Sequence, residues 1–165
     1  RPRVGLANIG TEKTKGGPLQ LEAYELMETS DYHFIGNVEA RDVPFGACDV
    51  LVADGFTGNM LLKMYEGVAG AMMVNIKAIF KKSLLTKLSA LMIKNGLMDF
   101  KKRMDYTEFG GAPLLGISKP VIKAHGSSNA KAFCSAIRQA KQFSETGVIE
   151  NIANAVSKTN QDTKA

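Results

Sequence analysis

Two stretches set the fold class of this chain. In each, a short apolar run stops at a turn and a helical spacing begins. The first run is Arg3–Asn8 (RVGLAN), which ends at Gly10. The polar loop Thr11–Gly17 (TEKTKGG) follows, then Pro18, which suits the first turn of a helix. Leu19, Ala23, Leu26 and Met27 next fall on one helical face. The second run is Asp49–Ala53 (DVLVA), almost wholly apolar, as in a strand covered on both faces. It leads at once into Asp54–Asn59 (DGFTGN) and a helix predicted from Gly58 to Lys77. Between the two lie a further strand, His33–Val38, and a break at Val43-Pro44-Phe45-Gly46. Strand alternating with helix predicts an α/β fold with a mostly parallel sheet. Asp54 then sits at the carboxyl end of its strand, where ligands of open α/β sheets collect. Thr57 and Asn59 are turn or cap residues, or polar ligands.

The same order of elements returns in Gly110–Asn129 (GGAPLLGISKPVIKAHGSSN). Gly110, Gly111 and Gly116 allow backbone shapes other residues resist. Val121–His125, behind Pro120, reads as a short strand. Gly126, Ser127, Ser128 and Asn129 precede a long helical pattern, and Ser and Asn are N-cap residues. A helix N-terminus carries a partial positive charge, so this is a candidate anion site with Lys123 and His125 beside it. An ordinary strand-to-helix joint has the same pattern and binds nothing. Strand alternation puts Lys123 and His125 on one face, opposite Ile122 and Ala124. Residues 54–59 and 123–129 are expected at the tops of neighbouring strands, facing a common hollow.

At 165 residues the chain is one domain, or half of a larger one. It opens Arg1-Pro2-Arg3 without an initiator Met, which reads as a cut inside a longer gene product. No apolar run reaches the length of a membrane span. Cys48 and Cys134 are too few for a disulfide framework or a metal knuckle, and are expected as packed, reduced thiols. Metal-ligand spacing and a nicotinamide fingerprint are both missing, so no cofactor is expected.

The net charge of +5 is unevenly spread. Seven Lys/Arg and one acid lie between Phe80 and Met104, a local +6, which leaves the remainder at −1. In Lys77–Met104, Leu84, Leu85, Leu88, Leu91 and Met92 form an apolar stripe. Lys81, Lys82, Lys87, Lys94, Lys101, Lys102 and Arg103 lie beside it, and Asn95-Gly96 punctuates it. A basic amphipathic helical hairpin is expected over residues 78–104. It packs on its own core or a dimer mate, lies on an anionic membrane surface, or docks an acidic protein. No recognised nucleic-acid-binding pattern appears.

Longer motifs add a resemblance. RPRVGLANIGTE (Arg1–Glu12), IGNVEARDVPFG (Ile35–Gly46), CDVLVADGFTGNMLLK (Cys48–Lys63), MDYTEFGGAPLLGISKPVIKAHGSSN (Met104–Asn129) and FCSAIRQA (Phe133–Ala140) resemble the PlsX family of phosphate acyltransferases. They run in order through almost the whole chain and cover the C-terminal half of that family's proteins. DGFTGN and GAPLLG…KP also resemble, more weakly, the phosphotransacetylases. The resemblance implies a three-layer α/β/α fold of the isocitrate/isopropylmalate dehydrogenase-like type. Residues 1–156 would form the C-terminal part of an acyltransferase domain, and 157–165 a polar tail. It implies a bacterial, cytoplasmic homodimer, peripherally bound to the inner face of the membrane. It also implies transfer of a fatty acyl group from acyl carrier protein to inorganic phosphate, giving acyl phosphate for phospholipid synthesis. The basic segment would serve the membrane, the acidic carrier protein, or both.

Such chemistry needs phosphate aimed at a thioester carbonyl, and donors for the oxyanion that forms. Gly126–Asn129, Gly110 and Gly111 are candidates for main-chain contacts to phosphate. Lys123 would add charge. His125 would steer the phosphate proton or donate to the oxyanion, since its ordinary pKa lies near working pH, or it is structural. Asp54, Gly55, Thr57, Gly58 and Asn59 would bound the cleft. Lys13 and Lys15 lie in a glycine loop, as substrate contacts or as surface lysines. Phosphate is itself the nucleophile, so no Ser or Cys is assigned that role. The alternative is a non-catalytic fragment that keeps a dimer, membrane or carrier-binding surface; alone, the chain is expected to be inactive.

Overall fold

The computed structural model describes residues 1–103, 110–126 and 128–162. They form two compact units, Arg1–Ile76 and Lys77–Ala165.

In the first unit, β1 (Arg3–Asn8) is the middle strand of a three-stranded parallel sheet. β2 (His33–Glu39) lies on one side of it and β3 (Val50–Val52) on the other. β1 is buried from Val4 to Ala7, as its apolar run predicts. Helix α1 (Pro18–Glu28) has Pro18 in its first turn. Gln20 Oε1 reaches back to accept the Gly17 N–H at 3.1 Å, which satisfies a donor the helix itself cannot. The core is Val4, Leu6 and Met27, with Ala23, Tyr24 and Phe34 packed on it. Burying a side chain such as Leu6 or Met27 contributes about 1.5–3 kcal/mol. The Tyr24 and Phe34 rings meet edge to face, with centroids 5.1 Å apart.

Two expectations need correcting here. The apolar face of α1 was read as Leu19, Ala23, Leu26 and Met27, yet Leu19 and Leu26 are exposed. The helix meets the sheet along Ala23, Tyr24 and Met27. DVLVA was read as covered on both faces, but Val50 and Val52 are exposed. Among the described residues, β3 is an edge strand that pairs with β1 alone. Its start is tied down by Asp49, which accepts the Arg3 main-chain N–H at 2.7 Å and its guanidinium at 2.8 Å.

Helix α2 (Gly55–Phe80) begins three residues earlier than its apolar spacing predicts, because Asp54 caps it. None of its residues is buried. Among the described residues, no helix is long and apolar enough to cross a membrane.

The second unit contains α3 (Leu84–Met92), α4 (Lys94–Arg103), β4 (Gly111–Pro113), β5 (Ile122–Ala124), α5 (Ala130–Glu145) and α6 (Val148–Asp162). β4 and β5 form an antiparallel pair, and α5 packs against both. Ser83 caps α3: its hydroxyl accepts the Thr86 N–H, and Thr86 Oγ1 accepts the Ser83 N–H. The break between α3 and α4 falls at Ile93, not at Asn95-Gly96. Those two residues occupy the first turn of α4, where poor helix formers cost least because the N–H groups there lack intrahelical partners. Cys48 is half-buried, whereas Cys134, read as packed, is exposed on α5.

Candidate active site

The first junction follows β3. Asp54 Oδ1 accepts the N–H groups of Phe56 at 3.0 Å and Thr57 at 2.9 Å. The Thr57 hydroxyl donates to Asp54 Oδ2. The main-chain carbonyl of Asp54 accepts the Gly58 N–H at 2.8 Å and opens α2. That hydroxyl, followed by the Thr57 N–H, holds the Asp54 carboxyl below the usual carboxylate range, against a smaller opposing effect of desolvation. An ionised carboxylate therefore already occupies the start of α2. It fixes Thr57 and takes up two of the N–H groups that an anion would use. Gly55 and Asn59 are exposed beside it.

The second junction follows β5. Gly111 faces Ala124 and Ala112 faces Lys123. Lys123 is exposed while Ile122 and Ala124 are half-buried, the alternation that the sequence predicts. His125 is exposed just past the strand end. Its carbonyl accepts the Ser128 N–H at 3.0 Å, closing a turn through Gly126. Asn129 caps α5 as predicted, with Oδ1 accepting the Ala132 N–H at 3.0 Å. Ser128 Oγ is buried and has no partner among the described residues. Ser127 lies outside the described residues.

Gly110 and Gly111 have a packing role here. Gly110 is buried with φ +80, and a Cβ on it would fall 2.3 Å from the Ala136 nitrogen and 2.6 Å from the Ala132 carbonyl oxygen. A Cβ on Gly111 would fall 2.6 Å from the Lys123 carbonyl oxygen. Only glycine lets β4 lie this close to α5 and β5.

The sequence reading put the two junctions on neighbouring strands. They belong to different sheets: β3 pairs with β1, and β5 pairs with β4. Each junction assembles within its own unit, Asp54 with Thr57 in the first, and Gly110, Gly111, Lys123, His125, Ser128 and Asn129 in the second. Among the described residues no cluster of His, Cys, Asp and Glu could hold a metal ion.

Sequence comparison bears on both junctions. A family model described as "Fatty acid synthesis protein" matches residues 1–151. A phosphate acyltransferase of Lysinibacillus sphaericus is 55% identical over 94% of this chain. Those of Thermoanaerobacter pseudethanolicus and Thermoanaerobacterium thermosaccharolyticum are 52% and 51% identical over 94% and 99% of it. This chain belongs to the phosphate acyltransferase family. It covers 47%, 47% and 49% of those three relatives, so it spans about half their length and matches their C-terminal part.

The family's region of similarity contains both junctions and the basic segment. On α3 the leucines expected to form a contact stripe, Leu84, Leu85, Leu88 and Leu91, are all exposed, as are Lys81, Lys82, Lys87, Lys94 and Lys102 around them. The side chains of Lys101 and Arg103 lie outside the described residues. Sequence reasoning overlooked Asn37 in HFIGNV. It is a buried amide, and its signal was a polar residue set between Gly36 and Val38 in the middle of the strand.

Proposed function

We propose that this chain is the C-terminal part of an enzyme that moves a fatty acyl group from acyl carrier protein to inorganic phosphate. Its product is acyl phosphate for phospholipid synthesis. The observation that carries this reading is 55% identity to a phosphate acyltransferase over almost the entire chain. An oxygen of phosphate attacks the thioester carbonyl carbon, a tetrahedral oxyanion forms, the C–S bond breaks and the thiolate departs. Lys123 supplies charge to phosphate, and His125 donates to the oxyanion or takes the phosphate proton. The buried Ser128 hydroxyl, without a partner among the described residues, fits a ligand oxygen at the head of α5. Gly110, Gly111, Gly126, Ser127 and Asn129 complete this wall. Asp54, Gly55, Thr57, Gly58 and Asn59 are further substrate-binding candidates at the head of α2, and the full-length enzyme has a three-layer, dehydrogenase-like α/β/α fold and works as a homodimer.

In the full-length protein carrying this chain, His125→Gln and Lys123→Met should each cut phosphate-dependent acyl transfer by about 10²-fold or more. Near wild-type rates in both variants would move the chemistry elsewhere. The 165-residue chain alone should be inactive.

The exposed α3 stripe favours a second role: peripheral docking on the cytoplasmic face of the membrane or on the acidic carrier protein. Four exposed leucines amid exposed lysines suit an anionic lipid surface. Leu84→Glu with Leu88→Glu should abolish flotation of the full-length protein with anionic vesicles; unchanged flotation would leave the stripe to packing.

A further inference from the structure

We infer that the apolar cavity between α6 and the loop joining β4 to β5 seats the far end of the fatty acyl chain, and that Ala153 on α6 limits the length of chain it accepts. This deepens the acyltransferase reading, on which it rests, with residues outside both junctions.

The cavity lies wholly within the second unit and has a volume of about 330 Å³. Small-molecule pockets begin at about 300 Å³, so its size suits part of a substrate rather than a whole one. Leu114, Leu115 and Ile117 line one side, and Phe143 of α5 lines another. The remaining side is α6. Ile149, Ile152, Ala153 and Val156 fall at i, i+3, i+4 and i+7, a single helical face. Glu150, Asn151 and Asn154 lie off that face. The apolar stripe of α6 is therefore turned to the cavity. Ala153 has the smallest side chain on it and leaves the room that a chain would occupy.

The lining selects its occupant by chemistry. Among the described residues around the cavity there is no ionisable side chain, and the Ser118 hydroxyl is the one polar side-chain group. A phosphate or a nucleotide would lose its hydration there without a charged partner in return. Leu114, Leu115 and Val156 are 44%, 63% and 54% exposed, so apolar surface is left for an occupant to cover. A saturated acyl chain has no polar group to satisfy, and each methylene it takes out of water is worth about fourfold in affinity.

The hairpin that carries Lys123 also carries the cavity wall. Lys123 stands opposite Ala112. The Leu114 N–H donates to the Val121 carbonyl at 2.9 Å, which extends the pairing one residue past Pro113. Strand alternation puts Ala112 and Leu114 on one face, and directly opposed residues share a face, so Leu114 stands on the face of Lys123. Two residues of antiparallel strand span about 7 Å. An acyl chain whose carbonyl is attacked beside Lys123 and His125 thus reaches the cavity along one face of the hairpin.

The test uses the full-length protein carrying this chain, with hexanoyl and palmitoyl thioesters of acyl carrier protein as donors. The hexanoyl chain ends near the cavity and the palmitoyl chain enters it. Ala153→Phe fills the cavity and should lower kcat/KM for the palmitoyl donor about tenfold or more, the loss of about two seated methylenes. The hexanoyl kcat/KM and the phosphate KM should stay near wild type. Asn154→Phe adds the same bulk off the apolar face and should leave both donors unchanged. Where Ala153→Phe does not fold, Ala153→Leu carries the same expectation. An equal loss for both donors in Ala153→Phe, as when another segment of the protein fills the cavity, would overturn the assignment. So would the same selective loss in Asn154→Phe. Binding of the fluorescent fatty acid cis-parinaric acid separates the two readings. A wild type without transfer activity that binds this probe, with binding abolished in Ala153→Phe, sinks the enzyme and keeps the site. An active wild type whose preference between the two donors survives in Ala153→Phe sinks the site alone.

Discussion

Replacing Gly110 by Ala isolates how closely β4 must approach α5. Two costs are expected. Gly110 has φ +80, a region in which an L side chain costs about 1–2 kcal/mol. The new Cβ would also stand 2.3 Å from the Ala136 nitrogen and 2.7 Å from the Ser135 carbonyl carbon, where ordinary contact needs more than 3.4 Å. The obstructing atoms are helix backbone, so no rotamer change relieves them. α5 must shift off the hairpin, at a further cost of about 1–3 kcal/mol. Gly116 separates the two costs, because its φ is +77 and nothing lies within 4 Å of the Cβ position. Gly116→Ala should therefore cost only about 1–2 kcal/mol, and Gly110→Ala about 2–5 kcal/mol. Urea unfolding followed by far-ultraviolet circular dichroism reads the difference. With a slope of about 1–3 kcal/mol/M, the Gly110→Ala midpoint should fall below the Gly116→Ala midpoint by about 1 M. A Gly110→Ala chain that fails to fold beside a folded Gly116→Ala meets the same expectation. Equal midpoints would refute the claim that close backbone approach, rather than dihedral preference, requires glycine at 110.

Asn129→Ala removes the α5 cap and should cost about 1 kcal/mol in the same urea assay, with Asn129→Asp retaining most of the stability. Asp49 has its carboxyl lowered to about 2 by the Arg3 guanidinium, then by the Arg3 main-chain N–H. Its folded pKa lies below its unfolded one, so its contribution is complete above about pH 4 and is lost as pH falls toward 2. The urea midpoints of wild type and Asp49→Asn should differ at pH 6 and converge near pH 2; a gap that persists at pH 2 would show that the pair does not act through its charge.

Much of the local structure was legible in the chain. The strand Arg3–Asn8 is buried from Val4 to Ala7 because those four consecutive residues are small or apolar, and Pro18 and Asn129 mark helix starts by the bonds they forgo or supply. The basic, leucine-bearing stretch was also readable, since charge and apolar spacing are properties of order along the chain. These features depend on neighbours within a few residues.

Contacts between residues distant in sequence were not legible. β3 looked doubly covered but is an edge, because burial depends on which strands come to lie beside it. Gly110 and Gly111 looked like phosphate donors, yet each is also required by a backbone that folds back more than ten residues later. Asn8 and Asn37 are 29 positions apart, and their hydrogen bond exists only because β1 and β2 lie side by side in register. The sequence alone determined which stretches become strand or helix and where Pro18 and Asn129 open helices, since those are short-range choices of dihedral angle and hydrogen bond. Tertiary structure alone decided which surfaces close, which glycines are obligatory and which amides meet, because each depends on the distance between chain segments that sequence order does not specify.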